Sequence, residues 1–407
     1  MTSAVAWLDT DDDQRRRMRE LIAMFRDQGA VDELGMGRIR DAFSGRLFPG
    51  TSVQWRRARY LLFVPWIYDC LEHGAGAPGT AEDRSRKLQK RLAKSLNSRH
   101  GAGSGVIGAR GADVREPPEA VLWAALGDWD IRLDPGRMTQ IREECVARSI
   151  RRSELEGETD HGVGLWHPMV SRLLPSGFPD EVGFDLTPAE AAFLTDLVAS
   201  PEALAGTTAA ARADSLLAQL VAFGCPTKVD LPWEHPAPTA SDDLRDAMRH
   251  AGLFSDAIQG ARLLYALMVG EARGDDDGFV AAAKGAYSAW VTDIAEPRRE
   301  ELDDWSADLR PFWLLVRAIN PRIHREMGFV EAWTRLLRGD LTALPSDREA
   351  CRLIVEREHA AKGVKRARLA RDGSIGRDAR GVVPDRLRFR WSQALSIAHD
   401  IRTPVGH

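Results

Sequence analysis

Apolar residues return every three or four positions along most of this chain, and that spacing constrains the fold more than any other feature. Val280, Ala283, Tyr287, Trp290 and Ile294 follow it, and so do Leu302, Trp305, Leu309, Phe312 and Val316. At 3.6 residues per turn such positions share one face of a helix. Pro311 is expected to kink the second of these segments. Met18, Leu21, Ile22 and Phe25 form another stripe, capped among Asp9, Thr10 and Asp11 and closed by Gly29. Thr187-Pro188-Ala189-Glu190 reads as a capping box with proline at the first helical position. A short helix is expected to carry Ile39, Ala42 and Phe43 and end near Gly45; a further helix from Ser52 to Phe63 is expected to stop or kink at Pro65. Period-two alternation occurs only at Arg386–Trp391, either a short strand or the lead-in to a last helix through Ala394, Leu395 and Ala398. The predicted class is mainly α with very little β; the three short N-terminal helices suggest either a helix-turn-helix-like unit with Arg56, Arg57 and Arg59 exposed, or a core helix through LLFVPWIY whose arginines pair with the acids of residues 9–13.

Two soft boundaries divide the chain. One is Asp134-Pro135-Gly136. The other is the stretch from Pro226 to Ser241, where Pro226, Pro232, Pro236 and Pro238 lie too close together for a helix. They give an N-terminal helical domain (1–135), a middle helical region with proline-rich connections (136–240) and a C-terminal helical domain with a basic tail (241–407). A length of 407 residues with 44% hydrophobic and 29% charged side chains suits a globular protein of this organisation. Cys70, Cys145, Cys225 and Cys351 show no pairing pattern, as expected in a reducing compartment. The N-terminal MTSAVAWLDTDDD has neither a basic nor an apolar leader region, and the strongest apolar window, Tyr60–Tyr68, is nine residues long. Both point to a cytoplasmic protein without a membrane span.

Catalytic patterns are weak. Gly103-Ser-Gly105-Val-Ile-Gly108 matches GxGxxG, but a basic helix with Leu88, Leu92 and Leu96 precedes it where a dinucleotide fold needs a strand. A loop is expected, and no cofactor. His161 and His167 bracket GVGLW beside Asp160, and His235 follows Glu234. Neither set has zinc spacing, and His167 and His235 both precede proline, which suits packing of irregular connections, so no metal is expected. Glu356, Glu358 and Lys362 imitate part of a nuclease pattern at helical spacing, and Asp275–Asp277 reads as the cap of the next helix.

Positive charge is the remaining signal. Arg352 to Arg402 holds thirteen Lys/Arg against six Asp/Glu, about +7, which leaves the rest of the chain near −11 out of a net −4. Candidate nucleic-acid contacts are Lys365, Arg366 and Arg368, then Arg386, Arg388 and Arg390, which project from one side if extended. Arg84, Lys87, Arg91 and Lys94 form a cationic face at 3-4-3 spacing. Arg56, Arg57 and Arg59 lead into LLFVPWIY, in a stretch without an acidic residue between Asp41 and Asp69. Clustered cations neutralise phosphates and release counterions.

The blocks DELGMGRIRDAFSGRLFPGTS and RARYLLFVPWIY, followed in order by WHP, FPDEVGFDLT, PWEHP, LLYALMVGEARG and REACRLIVEREHAAKG, resemble a family of uncharacterised bacterial and archaeal proteins of about this length. Gln54-Trp55-Arg56 and the stretch from Arg371 to Gly381 depart from its pattern. The resemblance brings no reaction. It implies an accessory role in anti-phage defence islands, beside helicases and phospholipase D-like proteins. Three readings follow: a non-enzymatic component binding DNA or a complex, a cryptic nuclease or other enzyme whose site assembles from distant residues, and a scaffold docking a helicase through Arg56–Tyr68.

Overall fold

In a computed structural model, residues 32–74, 78–101, 104–108, 117–154, 164–199, 207–274, 278–371 and 382–406 are described. The expected N-terminal helix through Phe25, His161 and the Asp275–Asp277 cap lie outside them. The described residues are mainly helical and contain no strand. In chain order the helices are α1 (Gly37–Leu47), α2 (Tyr60–His73), α3 (Ala81–His100), α4 (Pro118–Asp128), α5 (Met138–Glu154), α6 (Met169–Arg172), α7 (Pro188–Ala199) and α8 (Thr207–Ala213). They continue with α9 (Leu216–Phe223), α10 (Asp242–Arg273), α11 (Phe279–Trp290), α12 (Arg299–Ala307), α13 (Arg310–Ile319), α14 (Met327–Leu336), α15 (Arg348–Lys362) and α16 (Trp391–Arg402). None is long and apolar enough to cross a membrane. The chain forms two compact units and passes between them three times. A mid-chain unit comprises Ser44–Arg245 with the residues from Gln393 on; a flanking unit comprises the residues up to Phe43 with Asp246–Ser392.

The mid-chain unit is built around α2. Every residue from Tyr60 to Asp69 is buried, and α3, α4, α5 and α6 pack against it. The helix begins at Tyr60, later than expected, and runs through Pro65. The proline removes the bond to the carbonyl of Leu61, a cost that burial on all sides offsets. A helix so enclosed has no outer face to enter a DNA groove, as a helix-turn-helix unit would require. Its charged neighbours are compensated internally. Glu119 accepts hydrogen bonds from Tyr68 (2.9 Å) and Ser85 (3.1 Å) and pairs with Arg142 at 3.2 Å. Burial and the adjacent Glu119 carboxylate push the Tyr68 phenol well above its ordinary range. The FPGT segment is a turn in which Thr51 N–H bonds to the Phe48 carbonyl at 3.2 Å. Gly50 sits there at φ +68°, and a Cβ on it would lie 2.4 Å from the Trp129 indole. Glycine is required twice over, by backbone and by contact.

The flanking unit centres on α10. The Phe43 ring lies 5.5–6.2 Å from those of Phe254, Phe312 and Phe389, and Phe254 and Phe312 lie 5.6 Å apart. The Trp290 and Trp333 indoles donate to the carbonyls of Asp256 and Ala257, each at 2.8 Å. Gly260 lets Trp290 approach, since a Cβ would meet that ring at 2.4 Å. The stripe from Leu302 to Val316 is buried as its spacing implies. Pro311 breaks nothing within a helix: α12 ends before it, and it occupies the first turn of α13, where its missing N–H is harmless. The segment Arg386–Arg390 is the lead-in to α16, with Phe389 and Arg390 at φ +50° and +65°.

Candidate nucleic-acid interface

α3 owes its start to Thr80, whose hydroxyl accepts from Asp83 N–H (3.1 Å) while Asp83 accepts from Thr80 N–H (3.3 Å). The Thr80 hydroxyl also donates to the Asp83 carboxylate at 2.8 Å, and with the Thr80 N–H bond this holds the Asp83 carboxyl below its usual range. The inward face carries Ser85, Gln89, Leu92, Ser95 and Leu96. Arg84 is also buried there, donating to the carbonyls of Leu71 (3.1 Å) and Gly74 (2.6 Å) and so closing the C-terminus of α2. Arg91 is exposed but holds Asp180, with its Nε at 3.0 Å; that bond depresses the Asp180 pKa. Lys87, Lys90 and Lys94 are exposed, and among the described residues none has an acidic partner at ion-pair distance. Their 3-4 spacing sets them on one stripe. With Pro78, Gly79, Asp83 and Arg86, the first two line a shallow concavity beside the helix.

The other candidate cations divide sharply. Arg59 is 6% exposed, bonded to Glu190 at 2.8 Å and the Gly183 carbonyl at 2.9 Å. Glu190 is at once the acid of the capping box, accepting from Thr187 N–H at 2.9 Å. Arg57 pairs with Asp400 at 2.9 Å and lies over the Phe184 ring. Arg56 is half-buried against Gly105 of the GxGxxG loop, which follows a helix and not a strand. In the flanking unit Arg368 pairs with Glu33 at 2.8 Å. Arg386 pairs with the fully buried Asp256, shared with Arg298. Arg388 reaches Asp385 at 3.5 Å and Arg390 reaches Asp41 at 4.0 Å. Lys365 and Arg366 are exposed; Arg366 caps α15 through the Lys362 carbonyl at 2.8 Å.

The helix carrying Glu356, Glu358 and Lys362 proves to be a brace. Glu358 accepts from Tyr265 (2.7 Å), Lys362 (2.7 Å), Arg368 N–H (2.9 Å) and Leu369 N–H (3.0 Å), and Lys362 also holds Glu33. Burial would raise the Glu358 pKa; these bonds to its charged form win and lower it. Arg357 donates to the carbonyls of Leu34 (2.6 Å) and Gly35 (2.8 Å). The DELGMG and EREHAAK blocks, far apart in sequence, are therefore mutual structural partners. His167 and His235 repeat one local device: Nδ1 accepts the backbone N–H two residues on, from Met169 (3.2 Å) and Ala237 (3.0 Å), turning the chain across a proline. Among the described residues no three His, Cys, Asp or Glu side chains gather to hold a metal ion.

Lys90 and Arg86 lie outside the 3-4-3 set of cations on α3. Lys90 lies three residues after Lys87 and four before Lys94, a spacing equal in signal to Arg84, Lys87, Arg91 and Lys94; only the burial of Arg84 and the pairing of Arg91 with Asp180 separate the two sets. No curated protein and no solved structure is significantly similar to the chain. A model described as a family of unknown function (DUF6361) matches residues 2–401, nearly the whole chain, and the chain belongs to that family.

Proposed function

We propose that this protein is a non-catalytic, nucleic-acid-binding component of a prokaryotic anti-phage defence system, acting in the cytoplasm, and that the outer flank of α3 faces the phosphates. The observation that carries the reading is the stripe Lys87, Lys90 and Lys94, exposed and without an acidic partner among the described residues. Ammonium groups left in water exchange counterions for phosphates at small cost in reorganisation. Arg57, Arg59 and Arg386 are held by buried acids and Arg388 and Arg390 lie near the more exposed Asp385 and Asp41, so the surface proposed is narrower than composition suggests. The defence setting, with a helicase or phospholipase D-like partner, rests on the family resemblance.

The test is titration of a fluorescent DNA duplex at several salt concentrations. Lys87→Ala/Lys90→Ala/Lys94→Ala removes up to three contacts, so the slope of log affinity on log salt should become shallower by about 2–3. A wild-type chain that fails to bind at low salt removes the reading. Binding with an unchanged slope in the variant removes α3 as the contact.

A further inference from the structure

α13 carries more apolar surface than the core of the flanking unit covers. Of its ten residues, RPFWLLVRAI, all but Arg310 and Arg317 are apolar, yet only Phe312, Trp313 and Val316 are buried. At 3.6 residues per turn those three share one side of the helix, and Pro311, Leu314 and Ala318 fall opposite them. All three of the opposite residues are exposed. Leu314 is 73% exposed, the largest value among the exposed large apolar side chains, and Ile319 at the margin is 40% exposed. Arg310 and Arg317, two turns apart, line one edge of this outer face. From Leu309 to Arg325 there is no acidic residue, and the cations Arg310, Arg317, Arg322, His324 and Arg325 are all exposed. The turn after α13 is tied back to its end: Asn320 N–H donates to the Val316 carbonyl (2.9 Å), and the Asn320 carbonyl accepts from Ile323 N–H (3.2 Å). Arg310 pairs with Asp308 at 2.6 Å. Among the described residues Arg317, Arg322 and Arg325 make no ion pair.

We infer that the outer face of α13 docks on an anionic phospholipid surface, with Leu314 and Ile319 entering the acyl boundary and Arg317, Arg322 and Arg325 meeting headgroup phosphates. Such docking is peripheral, since ten helical residues cannot cross a bilayer. The shape of the face favours this occupant: it is the convex outside of a helix, and a lipid boundary takes up a protruding side chain without needing a pocket. Charge complementarity favours it too. Arginine stems can cover the apolar edge while their heads reach a negatively charged layer. A second copy of the chain would bring another wholly basic face against this one, and like charges would oppose the contact. DNA supplies phosphates but nothing to take Leu314 out of water. The inference does not depend on the α3 reading.

Co-sedimentation of the purified full chain with lipid vesicles tests it. The chain should pellet with vesicles of phosphatidylcholine and phosphatidylglycerol in equal parts, stay in solution with phosphatidylcholine alone, and be released by salt. Leu314→Asp should weaken binding at least about tenfold. Leu314→Phe should retain it, and circular dichroism should be unchanged in both variants because the position is exposed. Arg317→Gln/Arg322→Gln/Arg325→Gln should lower affinity by about fivefold for each charge removed. The lysines of α3 also attract anionic vesicles, so the Lys87→Ala/Lys90→Ala/Lys94→Ala variant is the control. It should still bind, and adding Leu314→Asp to it should still cost about tenfold. A wild-type chain that ignores anionic vesicles at low salt overturns the inference and leaves the face to an acidic protein partner. Binding that is indifferent to Leu314→Asp, or that the lysine substitutions alone abolish, overturns it as well.

Discussion

The Arg57–Arg59 segment and the outer flank of α3 lie in the same mid-chain unit and carry the same sign of charge, yet they do opposite things. Arg59 sits between the Phe63 and Trp66 rings with its guanidinium on Glu190 and the Gly183 carbonyl. Lys87, Lys90 and Lys94 stand in solvent. The difference follows the chemistry of the two cations. A guanidinium offers a planar fork of donors that can satisfy a carboxylate and a carbonyl at once, whereas an ammonium is a compact, strongly hydrated charge. Among the described residues Arg59, Arg84, Arg142, Arg212 and Arg357 are buried, and no lysine is. Arg212 shows the pattern most fully. Its guanidinium holds Asp130 at 2.6 Å and the Leu197 carbonyl at 2.7 Å, tying the end of α7 to the turn after α4.

The comparison breaks most readily at Arg59. Arg59→Ala leaves the Glu190 carboxylate buried and without its cation, and should cost about 3–5 kcal/mol in denaturant unfolding. A loss near that of a surface substitution would mean the inner arginines are not braces. Gly50→Ala comes next, at about 1–3 kcal/mol, because it strains a positive φ and drives a methyl into Trp129. Its neighbour in the comparison, Gly101→Ala at the end of α3, has φ +72° but open space, so it should show the backbone strain without the clash.

A smaller effect is expected from pH. Burial lowers the pKa of His100, His167, His235 and His250, with the Arg57 charge assisting at His100 and the Arg249 charge at His250. The unfolded chain therefore binds protons that the folded chain refuses. The stability contributed by these groups is complete above the unfolded value of about 6.5 and is lost as pH falls through the folded values. Thermal midpoints should drop between about pH 7 and pH 5. A flat or rising profile over that range would contradict the burial of these rings. The smallest effect belongs to the α3 lysines: the triple alanine variant should unfold within about 0.5 kcal/mol of wild type. A larger loss would show that the stripe packs, which would weaken its assignment to phosphate.

Local patterns determined a good deal. The stripes at 280–294 and 302–316, the Thr187–Glu190 box and the mainly helical class all follow from residues within a turn or two of one another, where spacing alone fixes which side chains share a face. Even the FPGT turn is local, since only glycine accepts its φ freely. Tertiary structure decided the rest. Pro65 lies inside a helix because packing on every side of α2 outweighs one lost hydrogen bond. The two compact units are each assembled from separate stretches of chain, which no reading along the sequence can draw. Which cations are spent internally depended on partners far away in sequence, Asp400 for Arg57 and Leu34 for Arg357. Helical period names a face; whether that face meets protein or water is settled only by what the rest of the chain brings against it.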